Sequence, residues 1–72
     1  MTNRLREIRL QNNILQSQAA DDLDISIRNL SRYENGEIEP PIGLAMRMAA
    51  YYCRTIEELF QPAEPMKGGS AN

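Results

Sequence analysis

The stretch "ISIRNLSRYENG", residues 25–36, sets Arg28 and Arg32 four apart. On a helix that spacing puts both side chains on one face. A guanidinium carries five N–H donors in a rigid fork, which suits a phosphate or the O6 and N7 edge of guanine. All but one of the 8 basic residues in the chain are arginine. Leu30, Tyr33 and Glu34 fall on the other side of the same helical wheel, and Asn35 falls close to the arginines. One face can pack while the other presents two cations, with nothing obvious nearby to neutralise them. Spacing alone does not separate this from an ordinary solvated charged face.

Other chemistries lack their residues. The chain has no histidine, which removes the commonest metal ligand and general base, and its single cysteine excludes an internal disulfide or a multi-thiolate site. There is no glycine-rich phosphate loop and no plausible nucleophile–base pair. No enzyme, metal, cofactor or small-molecule ligand is therefore expected. Tyr51, Tyr52 and Phe60 could stack on single-stranded bases, but their helical spacing reads as core or subunit interface. Cys53 reads as a structural helix-end residue.

The formal net charge of −2 counts against an indiscriminate polyanion binder, so the distribution of the arginines matters more than the sum. The 72 residues suffice for one small domain. No apolar run approaches the roughly 18 residues that would span a bilayer, and no signal peptide opens the chain. A cytoplasmic protein is expected.

Helical periodicity runs through most of the sequence, and no stretch sustains β alternation. Thr2 can cap a first helix carrying Leu5, Ile8 and Arg9, closed by a left-handed Asn13. A second helix is predicted from Gln16 to Leu23, followed by a turn at Asp24 and Ile25. Ser26 then caps a third helix that stops before Asn35-Gly36. "EIEPP" is a loop, and Pro41 suits the first position of a fourth helix with Leu44, Ala45, Met48, Ala49 and Tyr52 on its apolar stripe. Thr55 and Glu58 form a capping box opening a last short helix through Phe60. The fold class is all-α, a compact five-helix domain over residues 1–60, and residues 61–72 are expected to be a disordered tail.

Two short helices joined by a short turn, the second bearing arginines, make a helix-turn-helix pattern. With "RLREIR", Gln16, Ala20 and Leu23, "ISIRNLSRYENG" and "AMRMAAYYCRTIEELF" in ungapped order, the chain resembles the phage repressor and Cro (XRE) class of regulators from Arg4 to Phe60. The resemblance implies a repressor-like DNA-binding domain whose third helix enters the major groove. It implies base reading by Ile27, Arg28, Asn29 and Arg32, phosphate contacts from Gln16 and Asn35, and a buried ion pair between Arg9 and Glu34. Gly36 would supply the backbone angle that ends the third helix. The sequence departs from the family pattern at Asp24, where glycine is usual, at Leu15 in place of a serine or threonine cap, and at Glu37 and Glu39 in a loop often basic in relatives.

The implied function is sequence-specific binding of double-stranded DNA by a transcriptional regulator, most simply a repressor acting as a homodimer on a palindromic operator. Ile56, Leu59 and Phe60 are the candidate dimer contacts. With no room for a ligand-sensing domain after the helices, any switch is expected to come from dosage, proteolysis, a partner or dissociation. The alternative is a protein-interaction module, such as an antitoxin or regulator partner, that keeps the fold with weak or no DNA binding; the acidic balance and the "EIEPP" loop favour it.

Overall fold

The computed structural model describes residues 3–60. The expected cap Thr2 and the tail from Gln61 onward lie outside the described residues. Within them the chain forms five helices and no strand: α1 (Leu5–Gln11), α2 (Gln16–Asp22), α3 (Ile27–Glu34), α4 (Ile42–Tyr52) and α5 (Ile56–Phe60). None is long and apolar enough to cross a membrane.

Local chemistry sets the helix starts. Ser26 Oγ accepts the Asn29 N–H at 3.0 Å, and Thr55 and Glu58 exchange hydrogen bonds at 2.8 and 3.1 Å, each satisfying otherwise orphaned amides. The Thr55 amide holds the Glu58 carboxyl below the usual carboxylate range, so the box is complete at neutral pH and comes apart only in acid. At α1 the Asn3 side chain accepts the Leu5 N–H at 3.0 Å and donates to the Tyr33 carbonyl at 2.8 Å. Three boundaries shift from expectation: the cap of α1 is Arg4, two residues past Thr2, and two others move by one residue. Pro41 is the cap of α4, not its first helical residue, because its ψ of 155° is extended while its carbonyl already accepts from Ala45. Leu23 likewise closes α2 without belonging to it.

The first four helices stop in the same way. Asn13, Asp24, Gly36 and Cys53 have φ of 57°, 59°, 76° and 57°, all left-handed. In each case the left-handed amide bonds back three residues: Asn13 to Leu10, Asp24 to Asp21, Gly36 to Tyr33 and Cys53 to Ala50. The next amide bonds back five: Ile14 to Arg9, Ile25 to Ala20, Glu37 to Arg32 and Arg54 to Ala49. This is the Schellman closure, which satisfies the last carbonyls of a helix and reverses the chain. Asn and Asp tolerate the left-handed well better than other side chains, which is why Asp24 can stand at a position suited to glycine.

Cysteine has no such tolerance. Cys53 is exposed, so replacing it with glycine removes the backbone cost without losing packing. Cys53→Gly is expected to raise stability by about 1 kcal/mol. A lower midpoint of thermal unfolding would show that the left-handed cap is not what limits this helix end.

The core gathers Leu5 and Ile8 of α1, Leu30 of α3, Met48 of α4 and Leu59 of α5, all fully buried. Ala19 and Ala20 are equally buried, and their small side chains let α2 lie close against α3. Two contacts pin the end of α2 to α4: Arg47 donates to the Leu23 carbonyl, and Tyr51 Oη donates to Asp22 Oδ2 at 2.6 Å. The acidic end of α2 thus has a structural partner. The five-residue α5 is far too short to persist alone. Leu59 anchors it, and its carbonyl accepts the Arg4 N–H at 2.7 Å. Of the three candidate dimer contacts, Leu59 has no exposed surface and packs in the core of this chain, while Ile56 and Phe60 are half-buried.

Candidate nucleic-acid interface

With Leu30 and Tyr33 turned into the core, α3 presents Ile27, Arg28 and Asn29 to solvent and leaves Arg32 half-exposed. A helix with its side chains is about 10–12 Å across, and the major groove of B-DNA about 12 Å wide. This face can therefore enter a groove and offer donors to base edges. The two arginines are not equivalent, however. Among the described residues the Arg28 side chain makes no hydrogen bond or ion pair. Arg32 does have a neutralising neighbour, because Glu37 Oε1 lies 3.6 Å from its Nε. The helical wheel does not show this pair, since Glu37 lies past the end of the helix.

Behind that face, Arg9 of α1 grips Glu34 at the end of α3. Arg9 Nε donates to Glu34 Oε2 at 2.7 Å and Nη2 to Oε1 at 3.2 Å, a bidentate contact. Arg9 Nη1 completes the set by donating to the Ile14 carbonyl at 2.8 Å. The two side chains are 7% and 2% exposed, so neither charge can fall back on water. Hydrogen bonding to Glu34 outweighs the desolvation of Arg9 and raises its pKa, keeping the guanidinium charged. Among the described residues the buried Tyr52 hydroxyl has no hydrogen-bond partner. Burial first, and then the nearby Glu34 carboxylate, push its pKa up to about 12.

Gln16 joins this cluster. Its Nε2 donates to Glu34 Oε1 at 3.1 Å, a partner that sequence reasoning missed. An amide nitrogen has two hydrogens, so one can hold Glu34 while the other is available to a phosphate at the start of α2. Asn35 is exposed at the end of α3, and its backbone N–H is committed to the Ser31 carbonyl. Glu37 and Glu39 are both exposed in the loop that follows. The candidate surface is therefore a narrow one, centred on Arg28, and not a broad basic field. Among the described residues no group of three or more His, Cys, Asp or Glu side chains is placed to hold a metal ion.

Ile56 and Phe60 lie elsewhere, in an apolar groove completed by Glu39, Pro40, Ile42 and Ala45. None of the proposed base-reading residues lines it. Ile42, 70% exposed, is its most open apolar member. Sequence reasoning passed over Ile42, although its position beside two prolines at a helix start is a signal for surface exposure. The family model described as Helix-turn-helix matches residues 5–59, from the start of α1 to the anchor of α5. No curated protein matches the chain.

Proposed function

The chain belongs to the helix-turn-helix family of phage repressor and Cro-type regulators, DNA-binding regulators of transcription, and from that premise we propose that it represses transcription by occupying a palindromic operator as a homodimer. One observation carries the DNA-reading half of this proposal: α3 turns Ile27, Arg28 and Asn29 outward, and Arg28 has no partner within the described residues. An unpaired guanidinium on such a face suits the O6 and N7 acceptors of guanine, and Ile27 suits a thymine methyl. Arg32 reads a neighbouring position, and Gln16 and Asn35 hold the phosphates on either side. A single recognition helix covers only a few base pairs, which is why two copies are needed to specify a site. The apolar groove with Ile42, Ile56 and Phe60 is the proposed contact between them.

Selection of random duplexes by the purified protein tests the whole reading. The expected result is an imperfect palindrome with half-sites about 34 Å apart, one turn of DNA. Arg28→Ala should then weaken operator binding by about 1–3 kcal/mol, confined to one base pair in each half-site, with thermal stability unchanged. Unaltered operator affinity would remove Arg28 from the reading surface. A single copy per duplex with no symmetry in the selected sequences would remove the dimer.

The Arg32–Glu37 pair and the exposed Glu39 favour a second reading, in which the module meets a protein and holds DNA weakly or not at all. A salt titration separates the two. A phosphate binder loses affinity steeply and linearly in the logarithm of salt concentration, whereas a module with no phosphate contacts does not.

A further inference from the structure

We propose that Glu37 is a positioning residue for DNA reading: it fixes the guanidinium of Arg32 so that its outer edge, and not its whole fork, is presented to a base. The proposal rests on the base-reading role given above for α3. Two contacts, one through the backbone and one through the side chains, join the same two residues. The Glu37 backbone N–H donates to the Arg32 carbonyl at 2.9 Å, as the closing bond of the α3 terminus, and the Glu37 carboxylate lies 3.6 Å from Arg32 Nε. The left-handed Gly36 makes the first contact possible and thereby sets where the side chain of the second begins.

The equivalent pairs at the other helix ends differ in kind. Closures of this type bring the residue beyond the left-handed position over the residue five before it, usually in apolar contact. At α2 these are Ile25 and Ala20, bonded at 2.9 Å through the backbone. At α3 alone the two are a carboxylate and a guanidinium. Their side chains are 56% and 42% exposed, so the pair adds little to folding stability. Its effect falls on the direction of Arg32. A carboxylate against Nε occupies the inner edge of the guanidinium and leaves the terminal N–H groups of Nη1 and Nη2 outward, where they match two acceptors on guanine.

The same carboxylate opposes the approach of any phosphate. Glu37 therefore has two effects of opposite sign: it sharpens discrimination at the base read by Arg32, and it weakens binding to arbitrary DNA. A charge that merely repelled DNA would have only the second.

The test uses the full chain and three duplexes: the selected operator, the operator changed at single base pairs, and an unrelated sequence. Arg32→Ala first identifies the base pair at which discrimination disappears. Glu37→Gln should then reduce discrimination at that same pair by about two- to fivefold, the most that an exposed ion pair can supply. Discrimination elsewhere should be unchanged, and affinity for the unrelated duplex should rise. In the Arg32→Ala background, Glu37→Gln should still raise nonspecific affinity but have no further effect on discrimination. Equal gains on all duplexes with discrimination intact would make Glu37 a simple repelling charge and overturn the proposal. If Arg32→Ala alters discrimination nowhere, the base-reading role of Arg32 fails, and the role of Glu37 falls with it. Both side chains are solvent-exposed, so unchanged melting curves are expected for every variant and verify that binding alone is being read.

Discussion

Glu34→Ala is expected to bring the domain close to unfolding in water at room temperature. Glu34 accepts two hydrogen bonds from Arg9 and one from Gln16, and its side chain is 2% exposed. Alanine would leave the Arg9 guanidinium buried without a counterion and the Gln16 amide without its partner. Removing one member of a buried pair costs about 3–5 kcal/mol, against a total stability of about 5 kcal/mol at the low end for small domains. Chemical denaturation would show the midpoint collapsing. A loss below about 1 kcal/mol, the size of a surface pair, would mean that the bridge does not organise α1 against α3. Replacing both partners, Arg9→Met with Glu34→Leu, should do much less harm than Glu34→Ala alone, because no charge is then stranded. The bridge would thus be a device for fixing the angle of α3 against α1 more than a net source of stability.

Leu59→Ala should cost about 2–5 kcal/mol, the range for emptying a fully buried leucine site. The helix that carries Leu59 has only five residues, so it cannot survive on local hydrogen bonds once its anchor is cut back. The loss should be the same in dilute and concentrated protein. Phe60→Ala on the open groove should behave differently, with a smaller loss in dilute solution and a clear loss of self-association by sedimentation. If Leu59→Ala instead abolished self-association while leaving dilute stability intact, Leu59 would belong to the interface and not to the core.

Much of the fold is legible because its punctuation is local. Ser26, the Thr55–Glu58 box and the left-handed positions at Asn13, Asp24 and Gly36 each act within a few residues of chain, so their chemistry can be recognised without knowing what packs nearby. The Arg9–Glu34 pairing, 25 residues apart in sequence, is beyond such reasoning and is reached only through family resemblance. The burial of Leu59 is illegible for a related reason: in a helix of five residues every apolar side chain looks alike, and only the return of α5 onto α1 distinguishes the buried one. The bonds of Gln16 to Glu34, Arg47 to the Leu23 carbonyl and Tyr51 to Asp22 depend on how helices dock, and no local pattern announces them. Glu37 is an intermediate case. Its pairing with Arg32 follows from the helix closure itself, five residues back, and could be read wherever a glycine stop is flanked by opposite charges at those two places.

The link between the Arg4 amide and the Leu59 carbonyl has a kinetic consequence. Most of this chain can settle through contacts between neighbours in sequence, and chains of that kind assemble rapidly. Docking of α5 is the exception, since it must join the two ends of the described chain. It should therefore be among the last events on the way in and the first to reverse, with amides around Leu59 exchanging with solvent far faster than those of α3. Each such excursion uncovers the apolar side of α1. Opening at α5 would then leave the packing of α3 against α2 in place.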